Sequence, residues 1–456
     1  MNILKLLALV AASCVSVPGT SRCHAAAPVN IVLIVADDLG YGDLACYGNQ
    51  TNQTPHIDQL AAGGLKFTDF HSNGSMCSPT RAAMLTGQYQ QRFGRKFDGP
   101  LSGEITRDHG LPLAAVTIAE VLQQHGYATA MFGKWHLGYI PPWLPTSQGF
   151  AEFRGLGAGD GDHHTHIDRW GREDWWHNDS LDMQPGYTAE LLTQYSVDFI
   201  ERHQHEPFFL YVPHLAIHFP WQGPHDPPHR QQGHDYGNDK WGIIPDPANV
   251  SPHVQAMIAS LDRSVGQIMQ TLKQLELEEN TLVVFTSDNG GYLNYAEKYH
   301  NISSNGHLRG QKGTLYEGGH RVPMIFHWPG KIAPAVSQAT SLSIDLLPTF
   351  ANLANAEVTE LLLDGDDLTQ HLLHNRPLAD RTLYWREGTE RAVRQGRWKL
   401  YAEDDQIELF DLSTDLAEQH NLAAQQTQRV QDLLHAWHNW ETDVNTSAKL
   451  FEEDQP

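Results

Sequence analysis

Four short runs rich in apolar, β-branched residues punctuate the chain, at 31–36, 128–132, 208–212 and 282–286, and each gives way at once to polar side chains. Asp37 and Asp38 follow the first, Lys134 and His136 the second, His214 and His218 the third, and Asp288 and Asn289 the fourth. Runs of this length without alternation suit strands covered on both faces. Helical patterns at 113–125 and 188–203 fall between them. Strand and helix therefore alternate, which predicts an α/β fold: a large doubly wound sheet, mixed but mostly parallel, flanked by helices. Ligands of such sheets sit beyond the carboxyl ends of the strands, so the four polar clusters are expected on one edge.

Beyond about Pro348 the pattern changes. Short runs at 382–385, 391–395, 398–401 and 407–411 are separated by turn residues, and a helical pattern follows at 429–441. These predict a smaller C-terminal antiparallel sheet with one packed helix. The expected organisation is a leader at 1–25, a main α/β domain at 26–348, and a linker with a small α+β subdomain at 349–456.

Composition narrows the partners. With 40% hydrophobic residues and 12 Trp in 456 residues, the chain can bury a sizeable core. A formal net charge of −23 argues against a nucleic-acid partner, because phosphate-backbone affinity needs many Lys and Arg contacts. An anionic substrate would require cations concentrated at one site. Lys5, the apolar stretch 3–17 and Ala25-Ala26-Ala27 read as an export signal cleaved after Ala25, too short for a membrane span. The expected location is periplasmic or extracellular, with lipid anchoring through Cys14 as the weaker alternative. Cys14 and Cys23 leave with such a leader, so Cys46 and Cys77 remain and no disulfide framework is expected. Cys46 reads as a buried apolar thiol.

Cys77 has a different context. In Cys77-Ser78-Pro79-Thr80-Arg81, turn chemistry passes into a plausible short helix, with Pro79 suited to its first turn. Cys77 is then expected at a helix N-terminus, where free N–H groups and the dipole favour an anion, with Arg81 one turn on. Asp37-Asp38 and Asp288-Asn289, at matching strand ends, offer the oxygen-rich set of a hard cation, Ca²⁺ in preference to Mg²⁺.

Cys-x-Pro-x-Arg followed by Ala82-Ala83-Met84-Leu85-Thr86-Gly87 resembles the signature of the type I formylglycine-dependent sulfatases, an arylsulfatase-like family in the alkaline-phosphatase-like superfamily. Gly126 to Gly138 resembles the family's second signature, and Pro213 to Pro220 and Leu308 to Gly319 resemble two further segments, in the family's order across nearly the whole mature chain. The resemblance implies that Cys77 is oxidised to formylglycine by a maturation system. It implies that calcium is held by Asp37, Asp38, Asp288, Asn289 and an oxygen of modified Cys77. It places Arg81, Lys134 and Lys312 on the sulfate oxygens, His218 or Lys312 as proton donor to the departing alcohol, and His136 as the base on the second hydroxyl. His214 is expected behind these residues, and Arg321 as a structural ion-pair partner.

Where many family members carry polar substrate-loop residues, this chain has Gly157-Ala158-Gly159-Asp160-Gly161-Asp162-His163-His164. The surrounding stretch, 155–186, has no periodic apolar face and reads as a long functional loop. Trp170, Trp175 and Trp176 within it are candidates for stacking on sugar rings, with packing beneath the loop as the competing reading. A sulfated carbohydrate is the expected substrate. The competing readings are a phosphonate or phosphate ester hydrolase of the same superfamily, and a non-catalytic sulfated-glycan binder that leaves Cys77 unmodified. No motif specifies the sugar or the oligomeric state.

Overall fold

The computed structural model describes residues 28–452, so the export-signal reading, with Cys14 and Cys23, lies outside the described residues. Among these, no helix is long and apolar enough to cross a membrane.

The strand Asn30–Ala36 is buried along its whole length, and its side chains divide cleanly between two cores. Ile31, Leu33 and Val35 belong to one hydrophobic cluster, and Val32, Ile34 and Ala36 to the other. That division explains why the run shows no alternation: both faces are dry, and each large aliphatic side chain contributes about 1.5–3 kcal/mol by leaving water. Thr281–Ser287 and Phe208–Pro213 pair with it on either side, both parallel. Ala128–Lys134 and Glu152–Leu156 continue the parallel set. On the other flank Met324–His327 runs antiparallel to Thr281–Ser287, so the ten-stranded sheet is mixed but mostly parallel, as expected. Thr188–Arg202 and Ser251–Gln274 cover one face, and Ile118–Gln124 and Leu346–Leu353 the other.

Two helices differ from the sequence reading. The pattern at 113–125 yields a helix only over Ile118–Gln124, because Thr117 and Glu120 form a reciprocal capping box that sets its start. Leu113, counted as apolar face, is 48% exposed. The C-terminal helix runs over Thr427–Glu452, well past the expected 441. Its later turns are held by tertiary contacts: Asp443 pairs with Arg92 at 2.6 Å, and the Phe451 ring lies edge-on to Phe93 at 5.3 Å. Cys46 is half-buried rather than buried.

Thr382–Glu387, Glu390–Gln395, Trp398–Glu403 and Gln406–Asp411 form the expected four-stranded antiparallel meander. Leu346–Leu353, spanning the change of pattern near Pro348, packs into the core of the large sheet. A buried ionic network joins the meander to that sheet. Asp69 meets Arg394 at 2.7 Å and Arg321 at 3.2 Å, while Glu317 meets Lys399 and Arg321 at 3.0 Å each. Burial alone would raise Asp69, but the His71 hydrogen bond and the two arginines hold it well below the usual carboxylate range. A carboxylate so depressed stabilises the fold fully above its unfolded value, 3.8, and loses that contribution as pH falls through the folded value. We therefore expect Asp69→Asn to cost about 3–5 kcal/mol at pH 7, because it strands buried arginine charge. The gap from wild type should close as pH drops below 3.8, as read by calorimetric melting across a pH series. A gap that is constant with pH would disprove the ion-pair account.

Candidate active site

The helix Cys77–Thr86 starts where the sequence places it, with Pro79 in its first turn and Gly87, at φ 67°, closing its C-terminus. All ten residues are buried, and Cys77 is 2% exposed. Arg81 ties this helix to two strand ends: Nε and NH2 donate to Asp288 Oδ2 at 3.0 and 2.7 Å, and NH1 donates to the Lys134 carbonyl at 2.7 Å. Lys134 Nζ reaches Asp37 Oδ2 at 2.5 Å, and Lys312 Nζ donates to Asp38 Oδ1 and lies 3.3 Å from Cys77 Sγ. Asn289 Nδ2 donates to Asp38 Oδ1 at 2.9 Å, and His218 Nε2 lies 3.9 Å from Asp38 Oδ2. The four polar clusters thus converge beyond the carboxyl ends of adjacent parallel strands.

Close packing of those strand ends requires Gly133, whose φ is 138°: a Cβ there would lie 2.0 Å from the Pro213 carbonyl oxygen. Asp38 and His136 adopt φ of 64° and 57°, sparsely populated values that cost of order 1–3 kcal/mol and mark a site where surrounding contacts dictate the backbone.

With all three carboxylates ionised, charges in this buried cluster balance pairwise, Asp37, Asp38 and Asp288 facing Arg81, Lys134 and Lys312. Burial, reinforced by Asp288 and Asp38 and opposed by Lys134, pushes Asp37 up to about 8. Burial would also raise Asp288, but Arg81 and the two lysines hold it below its ordinary value. Burial pushes the Cys77 thiol up to about 11 despite Lys134 and Lys312, so at neutral pH it is a thiol and a poor nucleophile. Burial, then Lys134, push His136 and His218 well below the usual imidazole range. His136 Nε2–H donates to the Leu101 carbonyl at 3.0 Å, which leaves Nδ1 buried without a partner. His218 Nδ1–H donates to the Phe219 carbonyl at 2.7 Å, which directs Nε2 toward Asp38.

Asp37 Oδ1 and Asn289 Oδ1 are buried with no hydrogen-bond partner, a costly state that a cation would relieve. Ligand atoms of Asp37, Asp38, Cys77 and His218 lie within 4.8 Å of one another. The oxygen donors of Asp37, Asp38 and Asn289 fit a hard cation such as calcium, whereas the Cys77 thiol would fit one only after conversion to an oxygen-bearing group. In the second such cluster, His71, Glu317 and His320, Lys399 donates to Glu317 at 3.0 Å and supplies the positive charge itself.

Cys77, His136, His218 and Lys312 line the floor of a cavity of about 180 Å³. Trp170, Arg169, Lys240, Tyr292 and Tyr295 also line it. His214 lies elsewhere, with Nε2 3.1 Å from Ser264 Oγ, and Arg321 belongs to the ionic network at the meander. Of the three tryptophans, two are corrected. Trp175 is fully buried and stacked on His166 at 4.0 Å, and Trp176 is buried with Nε1 donating to Asp174 at 2.7 Å. The reason is a short antiparallel strand, Trp176–His177, which joins the sheet beside Glu152–Leu156 and draws both rings inward. Only Trp170 reaches the cavity. Asp160 and Arg169 lie in the stretch 155–186 read as a functional loop, whereas Lys240, Tyr292 and Tyr295 were not singled out from sequence, where they sit in segments with neither periodicity nor a motif of their own.

The sulfatase family model matches residues 29–356, and the model described as N-sulphoglucosamine sulphohydrolase, C-terminal, matches 307–439. Arylsulfatase A from Homo sapiens is 38% identical over 404 residues, covering 82% of this chain and 75% of that one. N-acetylgalactosamine-6-sulfatase from Canis lupus familiaris is 33% identical over 410 residues, covering 85% and 74%. A crystal structure of Ps i-CgsB in complex with k-i-k-neocarrahexaose superposes with a TM-score of 0.79 at 31% identity, covering 92% and 94% of the two chains. With the family model spanning most of its length and relatives above 30% identity across four fifths of it, the chain belongs to the sulfatase family and is a sulfuric ester hydrolase.

Proposed function

We propose that this enzyme is exported and hydrolyses a sulfate ester on a sulfated carbohydrate, using formylglycine made from Cys77 and calcium held by Asp37, Asp38, Asp288, Asn289 and an oxygen of the modified residue. The observation that carries the reading is Cys77 itself: a protonated thiol at a buried helix N-terminus, 3.3 Å from Lys312, at the floor of a cavity lined by His136 and His218. Cys77 Sγ stands where a formylglycine oxygen would be. When hydrated, that group supplies a nucleophilic oxygen and a second hydroxyl through which sulfate can be expelled. Bound calcium would supply Lewis-acid stabilisation of negative charge. Since three carboxylates can at most balance three cations here, a divalent ion leaves the site positive, as an anionic sulfate requires.

The chain's own residues divide the remaining work. Arg81, Lys134 and Lys312 surround the place where sulfuryl oxygens gain charge. Asp38, outweighing burial, holds Lys312 well above its ordinary value, so it stays protonated beside Cys77; Lys312 or His218 Nε2 is assigned the proton given to the departing alcohol oxygen. His136 keeps a bare Nδ1 and suits the role of base at Cys77. Carbohydrate as the substrate class is supported by the names of the relatives and by Trp170 at the cavity. Because Cys77 is 2% exposed, the maturation enzyme must act before the chain folds.

Mass analysis of the Cys77 peptide from the native host tests this. We expect the aldehyde form, with turnover of a sulfate monoester exceeding that of the matched phosphonate or phosphate. An unmodified thiol in active protein would sink the proposal.

A further inference from the structure

We propose that the mouth of the cavity holds a second anion subsite, built from Lys240 and Arg169, which takes a carboxylate or a further sulfate on the sugar that bears the scissile ester or on the ring joined to it. The proposal rests on the sulfatase reading above and names its substrate class: carbohydrates with at least two negative charges close together.

In a chain of net charge −23, cations gathered at one place need a reason. Asp160 is fully buried and serves two guanidinium groups at once, Arg169 at 2.9 Å and Arg230 at 3.0 Å. Lys240 lines the same cavity and enters no ion pair among the described residues. Its chain neighbour Asp239 lies against His229 at 3.7 Å. Asp160 is thus matched by two guanidinium groups, with the Asp168 carboxylate close by, and Lys240 adds a further cation to the cavity wall.

Aromatic rings fix where the excess charge sits. Lys240 Nζ lies 5.5 Å from the Phe219 ring, 5.7 Å from Trp241 and 5.5 Å from Tyr295. Arg169 lies 5.5 Å from the same Phe219 ring and 5.4 Å from Trp170. Ring faces attract cations without neutralising them, so Lys240 is held in place and remains available to an anion, while Arg169 is braced by Asp160 and offers its remaining N–H groups. Phe219 follows His218 and accepts its Nδ1–H bond at 2.7 Å, which couples the subsite to the reacting end of the cavity. One cavity of about 180 Å³ is lined by Lys240 and Arg169 as well as by Cys77 and Lys312, so a single bound sugar can present its anions to both sets. A neutral ring would leave these cations facing hydroxyls, whereas an oxyanion receives charge-assisted hydrogen bonds.

The test compares three probes: a hexose monosulfate, the same hexose with two sulfates, and a sulfated disaccharide carrying a uronate. Binding to full-length Cys77→Ala protein is measured by calorimetry, and turnover is measured with the mature enzyme. We expect at least one dianionic probe to bind roughly tenfold or more tightly than the monosulfate at low salt, with the preference shrinking as ionic strength rises. Whether the disulfate or the uronate gains identifies the anion. Lys240→Met should bring the ratio of affinities down toward one, and Lys240→Arg should restore most of it. Equal binding of all three probes, or a ratio that survives in Lys240→Met, overturns the subsite. An enzyme that turns over an aryl sulfate yet shows no dianion preference refutes the subsite alone, whereas a Cys77-modified enzyme that turns over no sulfate ester refutes the hydrolase proposal on which it rests.

Discussion

Cys77→Ala is expected to lower sulfate-ester turnover by more than about 10⁴-fold while the protein still folds, since losing a covalent nucleophile removes the reaction path and losing one small side chain removes little packing. The cations that gather the anion would all remain, because Arg81 is fixed by Asp288 and the Lys134 carbonyl, and Lys134 by Asp37. Substrate should therefore still bind. The same reasoning bears on protein made without a maturation system. With the thiol held at about 11, the thiolate fraction at pH 7 is only on the order of 1 in 10⁴, and such protein should be folded and nearly inactive. Cys77→Ser should behave likewise unless a serine-modifying system is present. Progress curves on an aryl sulfate, with the melting temperature as a control, would check this. Near-native turnover by the alanine variant would exclude Cys77 as the source of the nucleophile.

Asp37→Asn is expected to weaken calcium binding by roughly 100-fold or more and to lower activity in step, with partial recovery in excess calcium. Asp37 offers one oxygen, Oδ1, with no other partner, and a second, Oδ2, committed to Lys134 at 2.5 Å. Asparagine keeps the shape and removes the charge. Burial that pushes Asp37 up to about 8 marks the same dependence from the other side, since the ionised form needs a cation to be stable there. Asp288→Asn offers an instructive contrast. Asp288 takes two bonds from Arg81 through one oxygen, so its loss strands a buried guanidinium and should also cost about 3–5 kcal/mol of stability. Calorimetric titration of metal-stripped protein separates the two effects. Undiminished calcium affinity in Asp37→Asn, or full activity in rigorously metal-free wild type, would remove Asp37 from the proposed metal site.

The architecture was legible wherever burial leaves a one-dimensional trace. The run at 31–36 is apolar at every position because its side chains enter two cores, and the polar residues after each such run had to emerge at one end of a parallel sheet. The helix at Cys77 was legible too, from Pro79 within its first turn and Gly87 at its end. What the sequence determined by itself is thus the four central parallel strands and the convergence of their polar ends, with the resemblance naming the residues expected around Cys77. Only the tertiary structure decided the rest. The helix start moved from 113 to Ile118 because a capping box outranks apolar spacing, and the last helix ran on past 441 because Arg92 and Phe93 hold it from another domain layer. Trp175 and Trp176 turned inward because a strand pairing too short for periodicity placed them there, while Trp170, a few residues away, stayed at the cavity. Lys240 and Arg169 are 71 positions apart in sequence, yet each lies 5.5 Å from the centroid of the Phe219 ring, an encounter between loops that no local pattern encodes.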